Sequence, residues 1–207
     1  MRNIYIIRHT EATHHIEGLV GGWYDTSLTE KGRTQAVKIA NSLYEEINIK
    51  NIPIYSSDLK RCVEIADIFS KVFMSPVVLD KNLREMNFGD GEGKPKEWRD
   101  ENVRPSPADG NRLDHCIFPN AESRREAGQR ACNFINQLIN RSLENVIVIT
   151  HGFFSTFLIM AWLKVPVENM GYCNFYLGSG GVTILNEDDF WSGRNVLELN
   201  RQYYLED

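Results

Sequence analysis

The sequence predicts an α/β protein, a three-layer sandwich with a mostly parallel central sheet and a small inserted lid region. Three observations lead there. Short β-branched runs alternate with helical apolar stripes along the 207 residues, the pattern of parallel strands joined by covering helices. Two of those runs end on a histidine: Ile4-Tyr5-Ile6-Ile7 runs through Arg8 into His9, and Val146-Ile147-Val148-Ile149-Thr150 into His151. In an open α/β sheet, ligands collect beyond the carboxyl ends of the strands, so neighbouring strands of this kind would bring both histidines to one crevice. Third, from Lys94 to about Pro119 the chain loses periodicity and is rich in Pro, Asn, Asp and Arg, which suits a lid within residues 86–122 of one domain spanning 1–207.

In chain order, Ile4–Ile7 reads as a buried strand. A polar loop with Gly18, Gly21 and Gly22 follows, and also carries His14, His15, Trp23 and Asp25. Thr29 is placed to cap a helix whose apolar stripe is Ala36, Ile39, Ala40, Leu43 and Ile47. Ile52-Pro53-Ile54-Tyr55 is a second strand. Ser56-Ser57-Asp58 offers caps for a helix with Leu59, Cys62, Ile65, Ala66 and Phe69 inside and Arg61 in its first turn. Val77–Leu79 is a third strand, leading into Leu83-Arg84-Glu85-Met86 and a turn with Gly89, Gly91 and Gly93. Helical patterning resumes near Ala121. Phe154–Leu163 is an apolar, buried helix, and Gly181–Leu185 with Val196–Leu199 forms a closing strand pair.

Bulk properties narrow the function. The net charge of −5 gives no reason to expect nucleic acid or anionic membrane as partner, so an anionic substrate needs a local basic cluster. The apolar segment from Phe153 to Val165 is too short to span a bilayer. The N-terminus enters a strand directly, with no signal-peptide pattern. Cys62, Cys116, Cys132 and Cys173 are widely spaced, which suits free thiols in a cytoplasmic protein and not a zinc site. His14 and His15 are adjacent and so do not converge on one ion. Both read as rim residues, and no metal is expected. Nothing in the sequence sets an oligomeric state.

The residues expected at strand ends are Arg8, His9, Arg61, Glu85 and His151. Two guanidiniums suit a phosphate, because each is planar, always charged and a bidentate donor. A neutral His9 can attack phosphorus while the arginines neutralise the oxygens. Glu85 can protonate the leaving oxygen and then deprotonate water, and His151 can donate to the phosphoryl oxygens. Together these describe metal-free phosphoryl transfer.

The ordered segments Arg8-His9, Leu28-Thr29-Glu30-Lys31-Gly32, Ser56-Ser57-Asp58-Leu59-Lys60-Arg61, Leu83-Arg84-Glu85 with Gly89, and His151-Gly152 resemble the histidine phosphatase superfamily, in its phosphoglycerate mutase-like branch. The resemblance implies that His9 is the phosphorylated nucleophile and Glu85 the proton donor. Arg8, Arg61 and His151 complete the phosphate pocket, with Thr10 and Gly152 beside them. Four segments depart from the commoner pattern. Thr10 stands for a glycine, adding a donor to the phosphate or tightening the turn. His15 stands for an asparagine, Gly21-Gly22 for a Gln-Gly pair, and Asn120-Ala121-Glu122-Ser123 for Gly-Gly-Glu-Ser.

The expected activity is hydrolysis of a small phosphate ester without cofactor. The alternative is a phosphoglycerate mutase, which would use 2,3-bisphosphoglycerate. A modest insertion and a short tail after Leu205 favour the phosphatase, since a mutase must shield its phosphoenzyme from water. A non-catalytic phospholigand-binding protein would have lost the nucleophile or the acid, and both are present. The rim is assigned to His15, Gly21, Gly22, Trp23, Arg84, Met86 and Phe88. With Trp98 these offer an apolar wall for a leaving group larger and less anionic than phosphoglycerate. Two neighbouring arginines should lower the His9 pKa, giving a mildly acidic to neutral optimum.

Overall fold

A computed structural model describes residues 2–108 and 111–202. The short tail expected to matter beyond Leu205 lies outside the described residues.

Strand β1 (Arg2–Arg8) is central. It pairs in parallel with β4 (Asn145–Thr150), so that Arg8 sits opposite Thr150. Beyond β4 lie β2 (Ile54–Ser56) and the edge strand β3 (Val77–Leu79), both parallel. On the other side of β1, strands β5 (Val182–Glu187) and β6 (Arg194–Arg201) run antiparallel. The sheet order is β3-β2-β4-β1-β5-β6. The closing strand pair and the mostly parallel sheet are as the sequence predicts.

After the one-turn helix α1 (Thr13–Ile16), helices α2 (Glu30–Ile47) and α3 (Lys60–Phe73) cover one face, over a core of Ile39, Leu43, Phe69 and Phe73 with Ile7, Ile54 and Ile149. Helices α5 (Arg124–Asn140) and α6 (Gly152–Trp162) cover the other, with Phe134, Phe157 and Trp162 packed on Ile4, Ile6 and Val148. Nine of the eleven residues of α6 are buried, as suits a helix that is apolar all round. No helix among the described residues is long and apolar enough to cross a membrane.

Local chemistry sets the boundaries. Thr29 caps α2 as expected, accepting from Gly32 N at 3.0 Å. Gly32 packs so closely on the Glu11 carbonyl that a Cβ would lie 2.1 Å from its oxygen, which excludes any side chain there. Strand β2 begins two residues later than predicted, because Pro53 has no N–H for the ladder. The Ser56-Ser57-Asp58 cap expectation needs correction. Helix α3 starts at Lys60 with Leu59 as a cap that makes no side-chain bond, and Ser57 Oγ accepts from the N–H of Leu59, at 3.3 Å, and from none within the helix. Helix α5 begins at Arg124, behind a capping box of Ser123 and Glu126. The aperiodic insertion contains one short helix that the pattern did not reveal, α4 (Lys96–Asn102).

The chain leaves β1 toward the α2 face and leaves β4 toward the α6 face. Adjacent parallel strands whose connections diverge leave a crevice between them. Residues 8–10 and 150–152 form its floor.

Candidate active site

The pairing of β1 with β4 brings the two histidine rings to 5.1 Å, centre to centre and edge to face. His9 Nδ1 lies 2.8 Å from the Thr10 carbonyl. A carbonyl only accepts, so Nδ1 carries the proton and Nε2 carries the lone pair. That lone pair accepts from Arg61 Nε at 3.3 Å. His9 is buried, and burial, then Arg61 and Arg8, push its pKa well below the usual histidine value. It is held neutral with the nucleophilic nitrogen defined.

Arg61 is fully buried in the first turn of α3, as placed from the sequence. It donates to the carbonyls of Gly22 at 2.7 Å and Tyr24 at 3.0 Å, so the loop after His9 is tied to the guanidinium. Arg8 donates to the Leu177 carbonyl, and its Nε is buried without a hydrogen-bond partner among the described residues. A Cβ on Gly152 would lie 2.8 Å from that Nε, so the glycine makes room for the guanidinium. Glu85 accepts at Oε1 from Met86 N and Phe154 N, at 3.0 and 2.8 Å, and at Oε2 from Phe153 N at 3.1 Å. Its carboxyl therefore sits on the N-terminus of α6, held there by two of that helix's backbone N–H groups.

Arg8, His9, Arg61 and Glu85 line one cavity of about 320 Å³. Arg8 and Glu85 also line a neighbouring cavity of about 420 Å³ beside Gly152 and Leu177. His151 is fully buried beneath and lines neither of these. It is the N-cap residue of α6, with Nε2 2.8 Å from Ser57 Oγ and 3.5 Å from Cys62 Sγ. Burial, then Arg61 and His9, hold its pKa well below the usual value.

The rim residues divide. His15, Gly21, Gly22 and Phe88 line the 320 Å³ cavity, and the His15 ring stacks on His9 at 5.4 Å. Trp23, Arg84 and Met86 do not, which corrects their assignment. The indole of Trp23 donates to the Glu85 carbonyl at 2.7 Å. Arg84 forms a two-pronged pair with Asp58, at 2.6 and 2.7 Å, and lies over the Trp23 ring. Met86 is buried, and its side chain borders a second cavity that it shares with Phe88. Trp98 packs on Phe118 and does not line the cavity either. His14 is buried against Thr26 Oγ1, at 2.7 Å, although its ring still borders the cavity. Thr10 Oγ1 donates to the Gly32 carbonyl at 2.8 Å, so its hydroxyl tightens the turn and is not free for a phosphate.

Sequence reasoning missed several residues. Ser57 and Cys62, read from the sequence as part of a helix cap and as a core residue, touch His151. Arg130 of α5 spends its five donors on Glu122 and on the carbonyls of Asn82, Arg84 and Glu85, at 2.7 to 3.2 Å. It locks the Glu85 loop. Its signal was visible: a charged residue on the apolar stripe, between Ala127 and Phe134. Lys96 and Arg99 of α4 add positive charge to the cavity wall.

Fold and site together define an α/β protein that gathers histidines and arginines at the carboxyl ends of two parallel strands. Residues 4–200 match the family model of the histidine phosphatase superfamily (branch 1), and the chain belongs to that superfamily. It is 30% identical over 209 residues to the 2,3-bisphosphoglycerate-dependent phosphoglycerate mutase of Bartonella henselae, covering 95% of this chain and 98% of that protein. It is 26% identical over 189 residues to the glucosyl-3-phosphoglycerate phosphatase of Mycolicibacterium vanbaalenii, covering 82% and 77%. Among solved structures, the alpha-ribazole phosphatase of Shigella flexneri superposes with a TM-score of 0.79 at 25% identity, over 96% of each chain. Relatives of this chain are thus named as phosphatases and as mutases, with different substrates.

Proposed function

We propose that the protein hydrolyses small phosphate monoesters, without metal or cofactor, through a phosphohistidine on His9. The observation that carries this is the neutral His9 tautomer with its Nε2 lone pair facing Arg61, in a cavity that Arg8 also lines. As the phosphoryl group arrives, Arg61 Nε turns from the imidazole to an oxygen of the ester. Nε2 attacks phosphorus, Arg8 and Arg61 neutralise the equatorial oxygens, and the P–O bond to the leaving group breaks. Glu85 supplies the proton to that oxygen. It then takes one from the water that cleaves the P–N bond, releasing phosphate and neutral His9. His151, held by Ser57, stabilises the phosphoryl group from below.

A mutase is the second reading, favoured by the near full-length match to the Bartonella protein. Against it, Lys96 at the cavity wall is exposed and the insertion is modest, so water has a route to the phosphoenzyme. The test is rapid-quench phosphoenzyme trapping at neutral pH. Wild type should form an acid-labile phosphoenzyme and turn over without bisphosphoglycerate. His9→Ala should lose both, by more than about a thousandfold. Turnover that requires bisphosphoglycerate would select the mutase.

A further inference from the structure

Behind Phe88 and Ile117, which also line the catalytic cavity, lies a second cavity of about 260 Å³. Its walls are mostly apolar, with Val103 and Phe153 among them, and three guanidiniums border it, those of Arg104, Arg112 and Arg124. None of the three has a carboxylate partner among the described residues. Arg124 is held by neutral acceptors, the carbonyls of Met170 and Cys173 and the Asn174 amide, at 2.6 to 3.2 Å. Arg112 lies over the Tyr172 ring at 4.9 Å, and its Nε is buried without a partner. One carboxylate, Glu122, also lines the cavity, and both its oxygens are taken by Arg130 at 2.8 and 3.0 Å. Burial and then Arg112 pull the Arg124 pKa down, as expected of two like charges close together. A protein of net charge −5 that keeps three unneutralised arginines around an apolar space is built for an anion with an apolar neighbour.

In the catalytic cavity Arg8 and Arg61 are taken up by the phosphoryl end, which leaves the outer wall for the rest of the substrate. That wall has Lys96 and Arg99, and Arg99 is paired with Asp100 at 2.6 Å. We propose that the second cavity receives the far end of the leaving group. The preferred substrate is then a phosphomonoester with an apolar middle and a second anionic terminus held by Arg112, Arg124 and Arg104. The larger leaving group expected from the sequence is kept, but its far end is anionic.

This rests on the phosphomonoesterase reading, and the experiment separates the two. Hydrolysis is measured for n-alkyl phosphates of increasing chain length, each paired with the ester carrying a terminal carboxylate. Once the chain is long enough to pass Phe88 and Ile117, the carboxylate member should have a kcat/KM about tenfold or more above its partner, carried by KM. In Arg112→Gln that ratio should fall toward unity, and Arg104→Gln should reduce it. The ratio is read within one preparation, so partial unfolding affects both members alike. A ratio of one at every length in wild type overturns the proposal while leaving the phosphatase reading standing. So does a preference that survives in both variants. Failure to hydrolyse any member would count against the phosphatase reading itself.

Discussion

The floor of the catalytic cavity and the outer surfaces beyond it, its own wall and the lining of the second cavity, are built in opposite ways. On the floor, His9, Arg61 and Glu85 are buried and their polar atoms are committed: Nδ1 of His9 to Thr10, Arg61 to two carbonyls and an imidazole, Glu85 to three backbone N–H groups. Beyond it, Lys96 is exposed on the cavity wall, and Arg104 and Arg112 around the second cavity have no carboxylate partner among the described residues. A committed group is preorganised, so the reaction need not spend energy orienting it. An uncommitted charge is free to meet whatever the substrate presents. The difference therefore separates reaction from selectivity, and substitutions in the two regions should fail differently.

The largest effect should come from the floor. Arg61→Lys keeps the charge but loses the fork that reaches His9, Gly22 and Tyr24 at once. We expect kcat to fall about a hundredfold or more with little change in KM. Steady-state kinetics on p-nitrophenyl phosphate checks this. A loss confined to KM would mean that the guanidinium only binds substrate.

Arg130 extends the floor beneath Glu85 without touching the cavity. Breaking its pair with Glu122, where both side chains are largely buried, should destabilise the fold by about 3 kcal/mol. In Arg130→Gln the Glu85 loop loses its carbonyl clamp. Transfer from alkyl phosphates, whose alkoxides need a proton, should fall about tenfold more than transfer from p-nitrophenyl phosphate. Glu85→Gln sets the scale, with the same asymmetry but larger. If Arg130→Gln slowed both substrates equally while Glu85→Gln did not, Arg130 would serve the fold alone.

The contrast also explains what could be read from the sequence. The floor was legible because its residues are tied to strand ends and helix starts: Arg8-His9 after one strand, His151 after another, Arg61 in the first turn of a helix. Local periodicity places such residues well. Glu85 was legible through its segment, but not its partners, since Phe153 and Phe154 donate from a helix 68 and 69 residues away. Trp23, Arg84 and Met86 were misplaced for the same reason. Loop position says that a side chain is near the site, while Asp58, the Glu85 carbonyl and the core decide which way it points. The lining of the second cavity was least legible, because tertiary packing brings Arg104 and Arg112 of an aperiodic segment against Arg124 at the start of α5.

Acid should expose a property of the floor that activity alone does not. Burial, then His15 and Arg61, bring the His14 pKa to about 3, and burial, then Arg8 and Arg61, bring that of His15 to about 4. His9 and His151 are also well below the usual value. The unfolded chain protonates its histidines near pH 6.5, so below that pH it binds more protons than the folded state. Stability is full above about 6.5 and is lost as pH falls toward the folded values. The expected slope is about 1.4 kcal/mol per pH unit for each histidine kept neutral. Urea midpoints between pH 6.5 and 4.5 measure it. His15→Asn should lower the slope by roughly one proton's worth. An unchanged slope would mean that His15 protonates freely in the folded protein. For activity, a neutral His9 puts the acid limb of kcat/KM well below pH 6.5, as far as the nucleophile sets it.

The smallest effect should come from the wall, and it should have a different signature. Lys96 is exposed, borders the cavity and has no carboxylate partner among the described residues. In a protein of net charge −5, it acts on an approaching dianion mainly through the field. Such an interaction changes encounter more than chemistry, and salt screens it beyond about 8 Å at physiological ionic strength. Lys96→Ala should therefore lower kcat/KM by about two- to fivefold in dilute buffer, leave kcat nearly unchanged, and become indistinguishable from wild type at about 1 M salt. The measurement is kcat/KM for one phosphomonoester across a salt series in both proteins. A salt-independent loss in kcat would break the division drawn between the two regions. It would put the Lys96 ammonium against the reacting phosphoryl group in the closed complex, so that α4 forms part of the catalytic machinery and does not merely wall the entrance.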